Sequence, residues 1–226
     1  MKRTAIIFVL LACITMTGCL VSALHPFYTG KDKIFEKQFI GNWMDGDSCV
    51  WVINANKSSN EFMSPEVLDS TFNITYYEEG EIAILVGTMF ELEGKKYMDF
   101  VPDPDEDHCL SDMTSYHHVP IHTFARVEIR EDRIMLFWFG EEWLNELFEE
   151  NRIRIAHETV DIGSGYSRHV LTAPTEELQK FIIKYANAEG ISKEIENAFS
   201  GEKETDGDHA FVILDPYSGP IPENKE

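Results

Sequence analysis

The sequence predicts a mainly β fold: an antiparallel β-barrel or strongly curved sheet, with one short helix inserted among the strands and a C-terminal helix after them. Three observations carry this. Stretches between Phe39 and Leu171 alternate apolar and polar residues, or run apolar over strand-like lengths. The turn pairs Glu79-Gly80, Glu93-Gly94 and Glu131-Asp132 separate them at hairpin spacing. Helical periodicity appears in few places, chiefly after Gly140 and after Pro174.

At the start, Lys2 and Arg3 precede an apolar run over 5–15, and Met16-Thr17-Gly18 leads into Cys19. This is the layout of a secretory signal, because a bilayer span takes roughly 20 apolar residues and this run is shorter. The ending resembles the bacterial lipobox, with Met16 in place of the usual leucine. That resemblance implies removal of residues 1–18 and lipidation of Cys19 by several acyl chains, palmitate among them, which would hold the protein firmly on a membrane. Leu20 stands where an aspartate would signal inner-membrane retention, and no acidic run follows Cys19. By the same analogy the expected place is the cell envelope, at the outer membrane and facing the periplasm.

Residues 19–38 read as a lipidated tether and entry segment, in which Pro26 favours extended backbone. Residues 39–200 form the expected β domain. Gly41-x-Trp43 opens a first strand, Asp45-Gly46-Asp47 turns the chain, and 49–53 returns. In 71–77, Phe72, Ile74 and Tyr76 alternate with Thr71, Asn73 and Thr75. Residues 82–92 are apolar on both faces, which suits a covered strand. A short strand at 97–101, an alternating one at 121–130 and a strongly apolar one at 134–139 follow.

Trp143, Leu144, Leu147 and Phe148 recur at helical spacing behind Glu141 and Glu142, predicting a short helix that closes the barrel end. Strands resume at 152–157 and 166–171. Pro174 then opens a helix with Leu178, Phe181, Ile182 and Tyr185 on one face; Gly190 is the expected stop, and the helix should pack outside the sheet. Residues 192–199 suit a further turn or two. Residues 201–226 read as an acidic, Pro-rich tail with one apolar island at 210–214, either an edge strand or loose.

Gly41-x-Trp43 resembles the start of lipocalin-like barrels, where the glycine permits a tight bend and the tryptophan closes one barrel end. Leu24-His25-Pro26-Phe27-Tyr28-Thr29, Val119-Pro120-Ile121-His122-Thr123-Phe124 and the run from Leu171 to Phe181 are similar in order to landmarks of a family of uncharacterised bacterial lipoproteins. That resemblance supports compartment and architecture and brings no catalytic residue.

The chain of 226 residues carries 40 Asp+Glu against 19 Lys+Arg, a formal charge of −21. Such a surface repels nucleic-acid backbones, so a nucleic-acid partner is excluded. Once Cys13 leaves with the signal and Cys19 takes the lipid, Cys49 and Cys109 are the candidate disulfide pair in an oxidising compartment, with two separate buried thiols as the alternative.

Metal chemistry centres on 103–122. Asp103, Asp105 and Asp107 match the opening of an EF-hand loop, but His108 stands where glycine is needed and Thr114 where the bidentate glutamate belongs. For zinc, His118 and His122 share one face of an extended chain but lie about 13 Å apart. A folded-back loop bringing in His108 or Cys109 is needed to complete a site. His108, His118 and His122 are therefore the candidate metal ligands; otherwise no cofactor is expected, and His122 is read as a strand histidine beside Phe124.

Gly163-Ser164-Gly165 lacks nucleophile-elbow spacing, and no carboxylate pair stands out. No catalytic residue is assigned, and the chain is read as more a non-enzyme than an enzyme. The 15 Phe, 8 Tyr and 4 Trp either fill a core or line a ligand cavity. The expected function is an envelope lipoprotein with a structural or protein-interaction role; the alternative is a carrier for a small apolar ligand, and a metal-dependent hydrolase ranks below both.

Overall fold

Three two-residue loops set the register of most of the sheet. Glu78 pairs with Glu81 across Glu79-Gly80, Leu92 with Lys95 across Glu93-Gly94, and Arg130 with Arg133 across Glu131-Asp132. Both central residues of the first two loops have positive φ, the conformation that matches the right-handed twist of the flanking strands. The computed structural model describes residues 20–56, 71–103, 119–163, 166–200 and 209–222.

Eight antiparallel strands close a barrel: β2 (Gly41–Met44), β3 (Val50–Ala55), β4 (Thr71–Glu78), β5 (Glu81–Leu92), β6 (Lys95–Pro102), β7 (His122–Arg130), β8 (Arg133–Phe139) and β11 (His209–Pro216). Closure has two parts. β6 pairs with β7 along Lys96–Phe100, and β11 lies between β8 and β2. The stretch expected to belong to a loose tail or an edge is thus a staple of the barrel. Its island from Ala210 to Leu214 pairs residue by residue with Trp138 to Ile134, and Leu214 is fully buried.

A side ribbon branches from β7. β1 (Ser22–Ala23) pairs antiparallel with the start of β7 and parallel with β10 (Tyr166–Leu171), which pairs with β9 (His157–Gly163). The 19–38 segment is therefore no slack tether once past Leu20: Val21, Ala23 and Phe27 are all buried.

Alternation on the barrel strands feeds two cores. Ile53, Ile74, Met89, Met98 and Leu136 point into the lumen, where Gly87 leaves no spare room; a Cβ there would lie 2.8 Å from both Ile74 Cδ1 and Met98 Sδ. Ile34, Phe35 and Phe39 close the lower end, Phe35 stacking on Phe72 at 5.2 Å. Trp43 Nε1–H donates to the Phe39 carbonyl at 3.1 Å, and an added Cβ on Gly41 would sit 3.3 Å from that nitrogen. The Trp43 indole thus lies across the bare backbone of Gly41 and beside the Phe39 carbonyl.

The outward-facing Phe90, Tyr97, Phe124, Phe137 and Phe139 form the second core beneath the helices and Phe27. Each such side chain contributes about 1.5–3 kcal/mol by leaving water. Helix α1 (Glu141–Glu149) buries Trp143, Leu144 and Leu147 here. It covers the flank and does not close the barrel end, because β8 presents Phe137 and Phe139 outward immediately before the chain turns at Gly140.

Helix α2 (Thr175–Phe181) runs into a π-turn at Ile182–Ala186, and α3 (Glu189–Ser200) follows. The break comes at Asn187 and Ala188; Gly190, the expected stop, lies in the first turn of α3. Both helices pack outside the sheet, as expected of the one that Pro174 opens. Gln179 Nε2–H donates to Asp32 Oδ2 at 2.7 Å and the Thr175 hydroxyl to the Pro26 carbonyl at 2.8 Å, tying α2 to the N-terminal segment. Buried Arg126 gives 2.9 and 3.1 Å hydrogen bonds to Glu128 Oε1 and one of 3.2 Å to Ser192 of α3. Of the strand expected at 152–157, only His157 is strand, as the first residue of β9; 152–156 have no ladder of their own.

Candidate functional site

The upper end of the barrel differs from the lower. β8 stops at Phe139, and β1 takes over its place beside β7: Val21 N–H donates to the Phe139 carbonyl at 2.9 Å and Leu20 bridges Gly140. The sheet flares at this hand-over, so lumen and ribbon together frame a cavity of about 600 Å³.

Its walls come from six strands and from the residues that lead into two of them, Leu20 before β1 and Ile121 before β7. Leu85 of β5, Phe100 and Pro102 of β6 and Trp138 of β8 form an apolar side, with the Phe100 and Trp138 rings 4.6 Å apart. Ile121 and Thr123 enter from the start of β7, Ser22 from β1, and Arg168 from β10. Ser22 faces Thr123 and Val170 in register, and Arg168, two residues from Val170, shares that face. The cavity is thus mostly apolar, with a guanidinium and a threonine hydroxyl at its polar side; Ser22 Oγ–H donates to the Leu20 carbonyl at 2.9 Å. Its volume is in the range of small-molecule sites.

The structure brings few of the residues singled out from sequence to one place. Cys19, Cys109, His108 and His118 lie outside the described residues. Cys49 is a buried thiol at the β2–β3 turn. Burial pushes it up, against a hydrogen bond from Tyr76 that pulls it down, and the carboxylates of Asp45, Glu78 and Asp47 push it further up. These surroundings favour the protonated thiol over the thiolate.

His122 does not pack as an isolated strand histidine. Its Nδ1 lies 2.8 Å from Asp99 Oδ1, and Asp99 Oδ2 accepts the Phe27 backbone N–H at 3.0 Å. Asp99 is 2% exposed. Burial raises its pKa, opposed by the hydrogen bond and charge of His122 and by the Phe27 N–H. The pair sits on the outer face of the barrel next to the Phe27–Phe124 contact, with the two rings 4.6 Å apart, and locks the N-terminal segment down. Among the described residues no group of three or more His, Cys, Asp and Glu converges as a metal site. A lone acid between Met98 and Phe100 was the sequence signal for Asp99, and alternation alone does not say that it is buried.

Arg168 and the flared mouth also escaped sequence reading, because both depend on β1 joining β7 to β10. Comparison of the chain with family models, with curated proteins and with solved structures gives no match.

Proposed function

We propose that this chain is a membrane-tethered binding protein for a small amphipathic molecule, whose apolar body enters the barrel mouth and whose polar end meets Arg168. The supporting observation is the cavity itself: the lumen is filled at Gly87 and below, yet opens at Phe100 and Trp138 into about 600 Å³. A purely structural barrel has no need of such a space, so carrier takes precedence over the structural role that sequence alone favoured.

The tether belongs to the same proposal. Leu20 lines the mouth and directly follows Cys19, so an acyl group on Cys19 would leave from the rim and set the opening toward the lipid surface. The bilayer would then be both anchor and source of ligand. The envelope location and the kinship with bacterial lipoproteins are part of this proposal.

The test uses the neutral fluorophore N-phenyl-1-naphthylamine. The wild-type chain is expected to bind it saturably in the micromolar range, about −8 kcal/mol. Leu85→Trp, which fills the mouth, should weaken binding by at least about tenfold while leaving the melting temperature within a few degrees. Wild-type protein that shows no saturable signal, or a variant that binds as well as wild type, overturns the carrier reading. Cys19→Ser should move the protein from the membrane fraction to the soluble one; unchanged partition overturns the tether.

A further inference from the structure

A second polar feature lies on the helix-covered flank, where α1 hands over to β9. Arg152, Arg154, Lys180 and Lys184 all border one pocket of about 260 Å³, together with Tyr185 and a single carboxylate, Glu177. This is unexpected in a chain with more than twice as many acids as bases. Some surface bases elsewhere are paired with acids: Lys96 with Glu36, Arg130 with Glu196 and Lys193 with Glu189. Of the four here, Arg152 meets Glu150 at 3.1 Å.

The backbone holds the group together. The π-turn Ile182–Ala186 takes the helix out of its regular phase, and π-turns of this kind recur at functional sites. Here it lets the Tyr185 hydroxyl donate to the Arg152 carbonyl. The Tyr185 ring lies 4.8 Å from Lys184 Nζ and 5.9 Å from the Arg152 guanidinium carbon. Lys180 and Lys184 stand one helical turn apart, a like-charge pair that destabilises the bare helix and that a bound anion would relieve. Buried Ile153, Ile155 and Phe181 make the apolar floor.

We propose that this pocket binds a phosphate-type oxyanion. Arginine supplies forked donors and lysine point charges, the combination that holds a phosphate, and four bases around one pocket of a strongly negative molecule draw anions toward it. The phosphate is either free or the head of a phospholipid, whose glycerol and first carbons would rest on the apolar floor.

The full chain is titrated calorimetrically at constant ionic strength with inorganic phosphate, with soluble dihexanoyl phosphatidylglycerol below its micelle concentration, and with chloride as control. Saturable heat with phosphate and none with chloride is expected. Lys180→Ala/Lys184→Ala, both exposed positions, should weaken phosphate binding at least about tenfold without lowering the melting temperature. Measured on Leu85→Trp, whose mouth is filled, phosphatidylglycerol binding about tenfold tighter than phosphate assigns the site to a lipid head; equal binding assigns it to free phosphate.

Phosphate acting like chloride, or a double variant binding like wild type, overturns the proposal. The mouth cavity is read independently. Leu85→Trp should keep phosphate binding, and the lysine variant should keep N-phenyl-1-naphthylamine binding, so failure of one reading leaves the other standing.

Discussion

Phe124→Ala is expected to destabilise the protein by about 3–5 kcal/mol, the range for deleting a fully enclosed phenylalanine. Phe124 is 1% exposed, and its ring meets Phe27 at 4.6 Å, Phe139 at 4.8 Å and Tyr97 at 6.3 Å. Phe139 in turn touches Trp143 of α1 at 4.9 Å. One ring thus joins the N-terminal segment, two barrel strands and, through a single neighbour, the first helix. No small rearrangement fills the space it would leave, since its neighbours are themselves held by strand register. For a domain of this size the loss corresponds to a fall in melting temperature of roughly 6–20 °C. A drop of less than about 1 kcal/mol in urea unfolding would mean that the two layers are held together elsewhere.

His122→Ala should cost about 2–3 kcal/mol near neutral pH, because it strips the nearest partner from a carboxyl group that water cannot reach. The sign of its pH dependence follows from Asp99. Burial raises the folded pKa of Asp99 above its ordinary value of 3.8. Its stabilising contribution is therefore greatest below that value and declines as pH rises through the raised one. Losing His122 removes two influences that hold the pKa down, so the decline grows and extends to higher pH. The deficit of the variant against wild type should be larger at about pH 7 than at about pH 4, and adding Asp99→Asn should recover most of it at the higher pH. A deficit that ignores pH, or a double variant no better than the single one, would show that the ring matters for packing alone.

Local pattern made much of this molecule legible. β4 and β7 follow from alternation, β5 and β8 from apolar runs of strand length, and the hairpins between them from turn pairs that hold positive-φ residues. α2 was marked by Pro174 and its apolar face. What escaped reading depends on partners far away in the chain. Ser22-Ala23 is too short to show any period, yet it decides where the sheet flares. Residues 210–214 look the same whether they sit at an edge or between β8 and β2. The apolar face of α1 is compatible with either a barrel end or a flank, and Phe137 and Phe139 decide for the flank.

The candidate site was less legible than the fold. Aromatic richness suggested a lined or filled barrel without choosing, and the molecule does both at different heights. The histidine and acidic pattern at 103–122 drew attention toward metal, whereas His122 answers to Asp99 across one strand pair. The basic pocket draws on residues as far apart as Arg152 and Tyr185, and only the meeting of the 152–155 segment with α2 and its π-turn assembles them.

The position of β11 has a consequence for how the molecule is made. Until the segment at 209–216 arrives, β2 and β8 have open hydrogen-bonding borders, and a ring with one stave missing is a template for pairing with other chains. Folding must hold that seam apart through translation and any export step, and then complete it by joining pieces about 170 residues apart, which makes for slow closure. A cell producing this protein would gain from a chaperone that occupies the gap until the final stave is delivered.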